Sequence, residues 1–322
     1  MKEAFIGKKI FFIGDSITEH GHFLYNMRAY FQTKKEKCFV FNRGIAGNMT
    51  FFTKEILEWE IDKPYPDYAF LCFGANDLGC WLYDAEKEET AELLKEREQR
   101  DEKFFIGYDS IINKLIKKGI KPIILSPFAM NERLIEKENI ETITDNQEKQ
   151  ECISSSFYKS KAFKKMNDHL AFYAKKLKET AKERNLLFLD IFTQTRELMQ
   201  SRDGLFIDDG IHYTPKGHAE IAKILLKYMG CTDIPESFEK TERNDAIFAI
   251  EQEERSIMFL PANIFNPSLG KFTLWQITER AQALLADEKT PDWLRVSSRN
   301  FLTKREDVPK MRRKIEELTY EI

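Results

Sequence analysis

Short apolar runs alternate with amphipathic stretches along roughly the first 230 residues of the chain. The runs fall at Lys9 to Ile13, Cys38 to Phe41, Tyr68 to Phe73, Pro122 to Leu125 and Leu186 to Leu189. They are nearly continuous rather than strictly alternating, the pattern of strands buried on both faces of a parallel sheet. Between them the spacing changes to that of helices. Phe163, Met166, Leu170, Tyr173 and Leu177 recur at helical intervals and predict one apolar stripe. Tyr108, Ile111, Ile112 and Leu115 predict a helix before the fourth strand, and Ile221, Ile224, Leu225 and Tyr228 predict one that closes the region. Such alternation predicts βαβ units and an α/β fold.

Two stretches interrupt this plan. Asp84 to Lys103 is densely charged and predicts a solvated helix inserted at about 84–103. Asn131 to Glu151 is polar, lacks apolar periodicity and follows a strand, which predicts an inserted loop over a site, extending to about residue 155. After residue 230 the alternation stops. Leu274, Ile277, Ala281 and Leu284 predict an amphipathic helix, Thr290 and Pro291 a break, and Val308, Met311, Ile315, Leu318 and Ile322 a last helix. Asp307 is the expected cap of that helix, with Pro309 in its first turn. The expected organisation is therefore a domain over 1–230 and a helical extension over 231–322. Ile257 to Phe265 and the helix around Trp275 have two open roles, a roof over a site or a dimer interface.

Composition narrows the class. With 42% hydrophobic and 32% charged residues, the 322-residue chain is globular rather than disordered. Lys and Arg total 50 against 53 Asp and Glu, a net charge of −3, so no broad positive field exists for nucleic acid. The only apolar stretch near the start is Ile10 to Ile13, too short for a secretion signal or a membrane span. The five cysteines, Cys38, Cys72, Cys80, Cys152 and Cys231, lack Cys-x-x-Cys spacing and suggest reduced thiols. The expectation is a cytoplasmic protein without membrane or nucleic-acid partners.

Candidate chemistry begins at Gly14-Asp15-Ser16-Ile17-Thr18, directly after the first predicted strand. A serine hydroxyl becomes nucleophilic only beside a base, and its reaction needs donors aimed at the developing oxyanion. A strand-to-helix turn at the carboxyl edge of a sheet can supply both. At the other end, Asp208-Asp209-Gly210-Ile211-His212-Tyr213-Thr214-Pro215 precedes the last helix of the α/β region. His212, with Asp209 three residues earlier, can act as a base with its orienting carboxylate. Asn42-Arg43-Gly44-Ile45-Ala46-Gly47-Asn48 and Phe73-Gly74-Ala75-Asn76-Asp77 follow the second and third strands and are expected to open at the same edge.

Taken in order, these four blocks resemble the SGNH, or GDSL-type, hydrolase superfamily, over about Lys8 to Gly230. The resemblance implies a flavodoxin-like three-layer α/β/α fold with a mostly parallel five-stranded sheet. It implies Ser16 as nucleophile, His212 as general base and Asp209 as its orienter in preference to Asp208. It places the oxyanion hole at Ser16, Gly44 and Asn76, and it implies no cofactor.

Asp15 is expected to anchor the nucleophile turn and Asp77 to brace its loop, and with Trp81 and Tyr83 they are the candidate contacts of the site loop. His20 and His22 beside Asp208 and Asp209 would be the only metal reading, and nothing else in the sequence supports a metal. His218 is expected to be structural and His169 solvated. The resemblance implies a serine esterase acting through an acyl-enzyme on a small ester, short-chain or acetyl, with a sugar as one candidate alcohol. A lysophospholipase, a thioesterase or an acyltransferase would use the same triad, and a non-catalytic binding protein is the reading from another class. A homo-oligomer through the extension is a further expectation.

Overall fold

The computed structural model describes residues 4–61, 63–83, 88–131, 165–207, 209–264 and 274–321. Five strands, β1 (Lys9–Gly14), β2 (Phe39–Gly44), β3 (Tyr68–Cys72), β4 (Lys121–Leu125) and β5 (Leu187–Leu189), form one sheet in the order β2-β1-β3-β4-β5. Every pairing in it is parallel. The order reverses between β1 and β3, and the loops leaving these two strands diverge from one crevice, the usual ligand position of open α/β sheets. The strand boundaries match the apolar runs with one informative exception. β2 continues through Asn42, Arg43 and Gly44, with Gly44 in register with Gly14, so these residues are strand rather than loop.

Successive residues of β1 point to opposite faces. Phe11 and Ile13 enter a core with α3 (Thr50–Glu60), α5 (Ala91–Lys117) and α6 (Met166–Glu183). Ile10 and Phe12 enter a second core with α2 (His22–Thr33), α7 (Ile191–Ser201) and α8 (Pro215–Tyr228). The result is the three-layer α/β/α architecture. The connections nearest the crevice are two single turns, α1 (Ser16–Glu19) and α4 (Ala75–Leu78), the latter followed by a tight 3-10 turn, Cys80–Tyr83.

The charged stretch is the first half of α5, capped by Thr90 and continuous with the apolar stripe at Tyr108 to Leu115. Its residues 84–87 lie outside the described residues, as do Phe163 and most of the polar stretch at 131–155. Asn131 itself is described and donates its N–H to the Gly210 carbonyl at 2.7 Å. Cys38, Cys72, Cys80 and Cys231 are buried and form no disulfide among the described residues, and Cys152 lies outside them. Among the described residues, no helix is long and apolar enough to cross a membrane.

Beyond Tyr228 the chain is helical: α9 (Glu242–Ile264), α10 (Leu274–Ala286), α11 (Asp292–Lys304) and α12 (Val308–Tyr320). Asp307 occupies the cap position of α12, but its side chain makes no capping bond and pairs with Lys310 instead. These helices pack on β2, an edge strand. The outward Val40 carbonyl accepts from Arg28 at 3.3 Å and the outward Asn42 N–H donates to Glu251 at 3.0 Å. Arg28 and Glu251 are themselves joined by two hydrogen bonds of 3.0 and 2.9 Å, so an ion pair occupies groups that another strand would use. A third core joins Ile257, Met258, Ala281, Phe301 and Val308 to Ile45, from the loop after β2.

Candidate active site

Ser16 is the first residue of α1, directly after the Asp15 cap. Asp15 is 2% exposed, and its carboxylate accepts the Ile17 N–H at 3.0 Å, which fixes the turn. Burial pushes its pKa up to about 7, against the lowering effect of that hydrogen bond. His212 lies just before α8, on the far side of the crevice. Its Nε2 is 2.7 Å from Ser16 Oγ and its Nδ1 is 2.5 Å from Asp209 Oδ2. The other Asp209 oxygen accepts the backbone N–H groups of Ile211 and His212, at 2.8 and 2.9 Å.

The electrostatics follow from that arrangement. Burial alone would lower His212, but the hydrogen bond and charge of Asp209 outweigh it, with help from Asp15 and Glu19, and the imidazole is raised above its ordinary value. Burial alone would raise Asp209, but its bonds to His212 and the backbone hold it below the usual carboxylate range. The site thus keeps an ionised carboxylate behind a readily protonated imidazole. Asp208 lies outside the described residues.

The amide of Asn76 is at the start of α4, and its Nδ2 donates to the Asn48 carbonyl at 3.1 Å. Gly44 differs from expectation. Its N–H donates to Asn42 Oδ1 at 2.8 Å, so it is not directed at a reacting carbonyl. The missing side chain serves another approach, because a Cβ there would lie 2.3 Å from the Glu19 nitrogen and 2.6 Å from the Thr18 carbonyl carbon. Three residues on, Gly47 is exposed in a turn closed by the Asn48 N–H and the Ile45 carbonyl, with a φ of 73° that favours glycine. Among the described residues its N–H has no acceptor.

The remaining candidates divide clearly. Asp77 is 4% exposed and accepts the Thr50 N–H and hydroxyl at 2.8 and 2.7 Å, which caps α3 from α4 and engages Asp77 away from a substrate. Tyr83 is 3% exposed, with Arg97 4.2 Å above its ring, and is a core residue rather than a contact. The side chain of Trp81 lies outside what the structure describes. His218 is fully buried and stacks on Phe23. His169 is half-buried rather than freely solvated. It bonds Asp101 at 2.6 Å, an oxygen that also accepts the Tyr173 hydroxyl at 2.7 Å. His20 stacks on the His212 ring with centroids 4.9 Å apart, and burial pushes it down to about 3, so it stays neutral. Among the described residues, no group of three or more His, Cys, Asp or Glu is placed to hold a metal.

Sequence reasoning missed the braces. Arg100, inside the charged stretch, donates to the Asn76 and Asp77 carbonyls at 2.8 and 2.9 Å, and Arg97, one turn earlier, donates to the Leu82 carbonyl at 3.1 and 2.6 Å. Their spacing on one face of a helix was the available signal.

No curated protein sequence matches the chain. Among solved structures, it is similar to a gut microbial diltiazem-metabolizing enzyme, with 14% identity, a TM-score of 0.66 and coverage of 98% of this chain and 96% of that one. It is also similar to a variant of an acetyl xylan esterase from Geobacillus stearothermophilus, with 20% identity, a TM-score of 0.50 and coverage of 74% and 98%. These likenesses concern the fold, and the first extends over the helices after Tyr228. Residues 12–220, which include Ser16 and His212, match the model of the GDSL-like lipase/acylhydrolase family. The chain therefore belongs to the GDSL-like lipase/acylhydrolase family and is a carboxylic ester hydrolase.

Proposed function

We propose that the protein is a serine esterase that removes a short acyl group, acetyl above all, from a small ester through an acyl-enzyme. The observation that carries this is His212, hydrogen-bonded at once to Ser16 Oγ and to Asp209. In this reading His212 Nε2 takes the Ser16 proton as Oγ attacks the ester carbon. It then gives that proton to the departing alcohol, and water repeats the sequence on the acyl-enzyme.

Three donors serve the oxyanion. The Ser16 N–H is at the first position of α1, where helix N–H groups have no intrahelical acceptor. Asn76 offers the amide hydrogen not used on Asn48. The Gly47 N–H replaces that of Gly44, since it is unengaged and lies one residue before Asn48, whose carbonyl Asn76 touches. An acetylated sugar is the substrate class drawn from the acetyl xylan esterase of similar fold. The catalytic unit is taken as residues 1–230, matching the span of the α/β alternation.

Hydrolysis of 4-nitrophenyl esters of increasing acyl length, with Ser16→Ala as control, tests the reading. The expected result is highest kcat/KM on acetate and none in the variant. Preference for long chains would refute the substrate class, and undiminished turnover in Ser16→Ala would refute the mechanism.

A further inference from the structure

Glu19, the last residue of α1, is held from several directions. Its carbonyl accepts Asn42 Nδ2 and Gln252 Nε2, both at 3.0 Å. Its carboxylate accepts the Ala46 N–H and feels the positive charge of Arg255. Gln252 and Arg255 both belong to α9, in the helical region beyond the family match. Arg255 also donates to the Gly44 carbonyl at 3.4 Å and pairs with Glu254, which is bound in turn by Arg312 of α12 at 2.5 Å and by Arg43 of β2 at 3.5 Å. Glu254 and Arg255 are both fully buried. The loop from Gly44 to Asn48 is seated independently, because Ile45 is fully buried in the core formed by Ile257, Met258, Ala281, Phe301 and Val308.

We propose that the helices after residue 230 position the oxyanion side of the active site through three anchors, Gln252 on the Glu19 carbonyl, Arg255 on the Gly44 carbonyl, and the apolar seat of Ile45. Arg255 is a positioning residue. It ties the end of β2 to α9 and so adds to the bonds from the Ala46 and Ile45 N–H groups that already link the loop after β2 to Glu19 and Gly14. A charged fork can bind a carboxylate and a carbonyl together, and a shift of about 1 Å in reacting groups can cost on the order of 100-fold in rate. The proposal rests on the reading of Ser16 as nucleophile.

The test is kcat and KM for 4-nitrophenyl acetate in the full chain, per site labelled by a fluorophosphonate. Arg255→Met and Ile257→Ala are each expected to lower kcat at least tenfold with KM changed less than threefold. Glu316→Gln removes a contact between α12 and Lys9, at the opposite end of β1, and is expected to lower the melting temperature while leaving kcat within twofold. Unchanged kcat per labelled site in Arg255→Met and Ile257→Ala would overturn the proposal, as would an equal loss in Glu316→Gln. If Arg255→Met does not fold, Arg255→Lys keeps the charge and loses the fork. A loss of kcat there supports the anchor and an unchanged kcat overturns it. Persisting activity in Ser16→Ala would instead remove the underlying triad reading, whatever the α9 variants show.

Discussion

Ser16 Oγ and His212 Nε2 lie 2.7 Å apart although 196 positions separate them along the chain. Their contact makes the ionisation of His212 govern attack, since only the neutral ring can accept the proton. Asp209 raises that ring above its ordinary value near 6.5 despite burial, so kcat/KM is expected to fall as pH drops, with a midpoint above 6.5. In Asp209→Asn the two largest raising effects go and burial remains, so the midpoint moves down while the rate drops by on the order of 10⁴. A pH–rate profile of both proteins checks this, and an unmoved midpoint would contradict the pairing.

Asn76 supplies a donor without a charge. Asn76→Ala is expected to lower kcat by roughly 10²–10³, about 2.7–4 kcal/mol of barrier, with little change in KM. Steady-state kinetics on an acetate ester decides it, and a loss confined to KM would assign Asn76 to ground-state binding.

Asp15 keeps its proton in the folded chain to a pH near 7, whereas in the unfolded chain it ionises near 3.8. Folding therefore loses stability as pH rises from about 4 to 7, and no further loss from this group comes above that. Asp15→Asn keeps an oxygen for the Ile17 N–H and removes the buried charge. The variant is expected to gain more in melting temperature at pH 8 than at pH 5. Equal gains at both would show that the carboxyl is not held protonated.

Arg100 holds the carbonyls of Asn76 and Asp77. Arg100→Met is expected to lower kcat about tenfold through a misplaced amide, because small displacements are magnified in rate. Combined with Asn76→Ala, it is expected to add almost nothing, since both act through one donor. A full multiplicative loss in the double variant would separate them.

The fold was legible because its signals are local. Strands buried on both faces wrote themselves as apolar runs, and Tyr108 to Leu115 wrote a helical stripe. The Ser16 and His212 turns were legible because each chemical role demands a residue type at a turn. Gly44 misled because a glycine at the end of a strand serves either a ligand or a packed neighbour, and only the Asn42 bond and the Glu19 backbone distinguish them. Arg97 and Arg100 were hidden in a charged run, since composition cannot separate a guanidinium facing water from one facing carbonyls. Glu251 and Arg255 carry no motif at all. The groups they hold, Arg28 and the Gly44 carbonyl, lie over 200 residues away, and such distant contacts leave no periodic trace.

The ion pair of Arg28 and Glu251 along β2 also affects how molecules of this protein meet one another. An edge strand with open N–H and C=O groups is a template on which another chain's backbone can grow. Here the outward groups of Val40 and Asn42 are already bonded to side chains of the same molecule. A chain cut between α8 and α9 would lose Glu251 and uncover that edge, together with Ile45, whose buried apolar partners in the third core all lie beyond the cut. Such a fragment is primed for self-association, so the intact join between α8 and α9 guards the protein against aggregation.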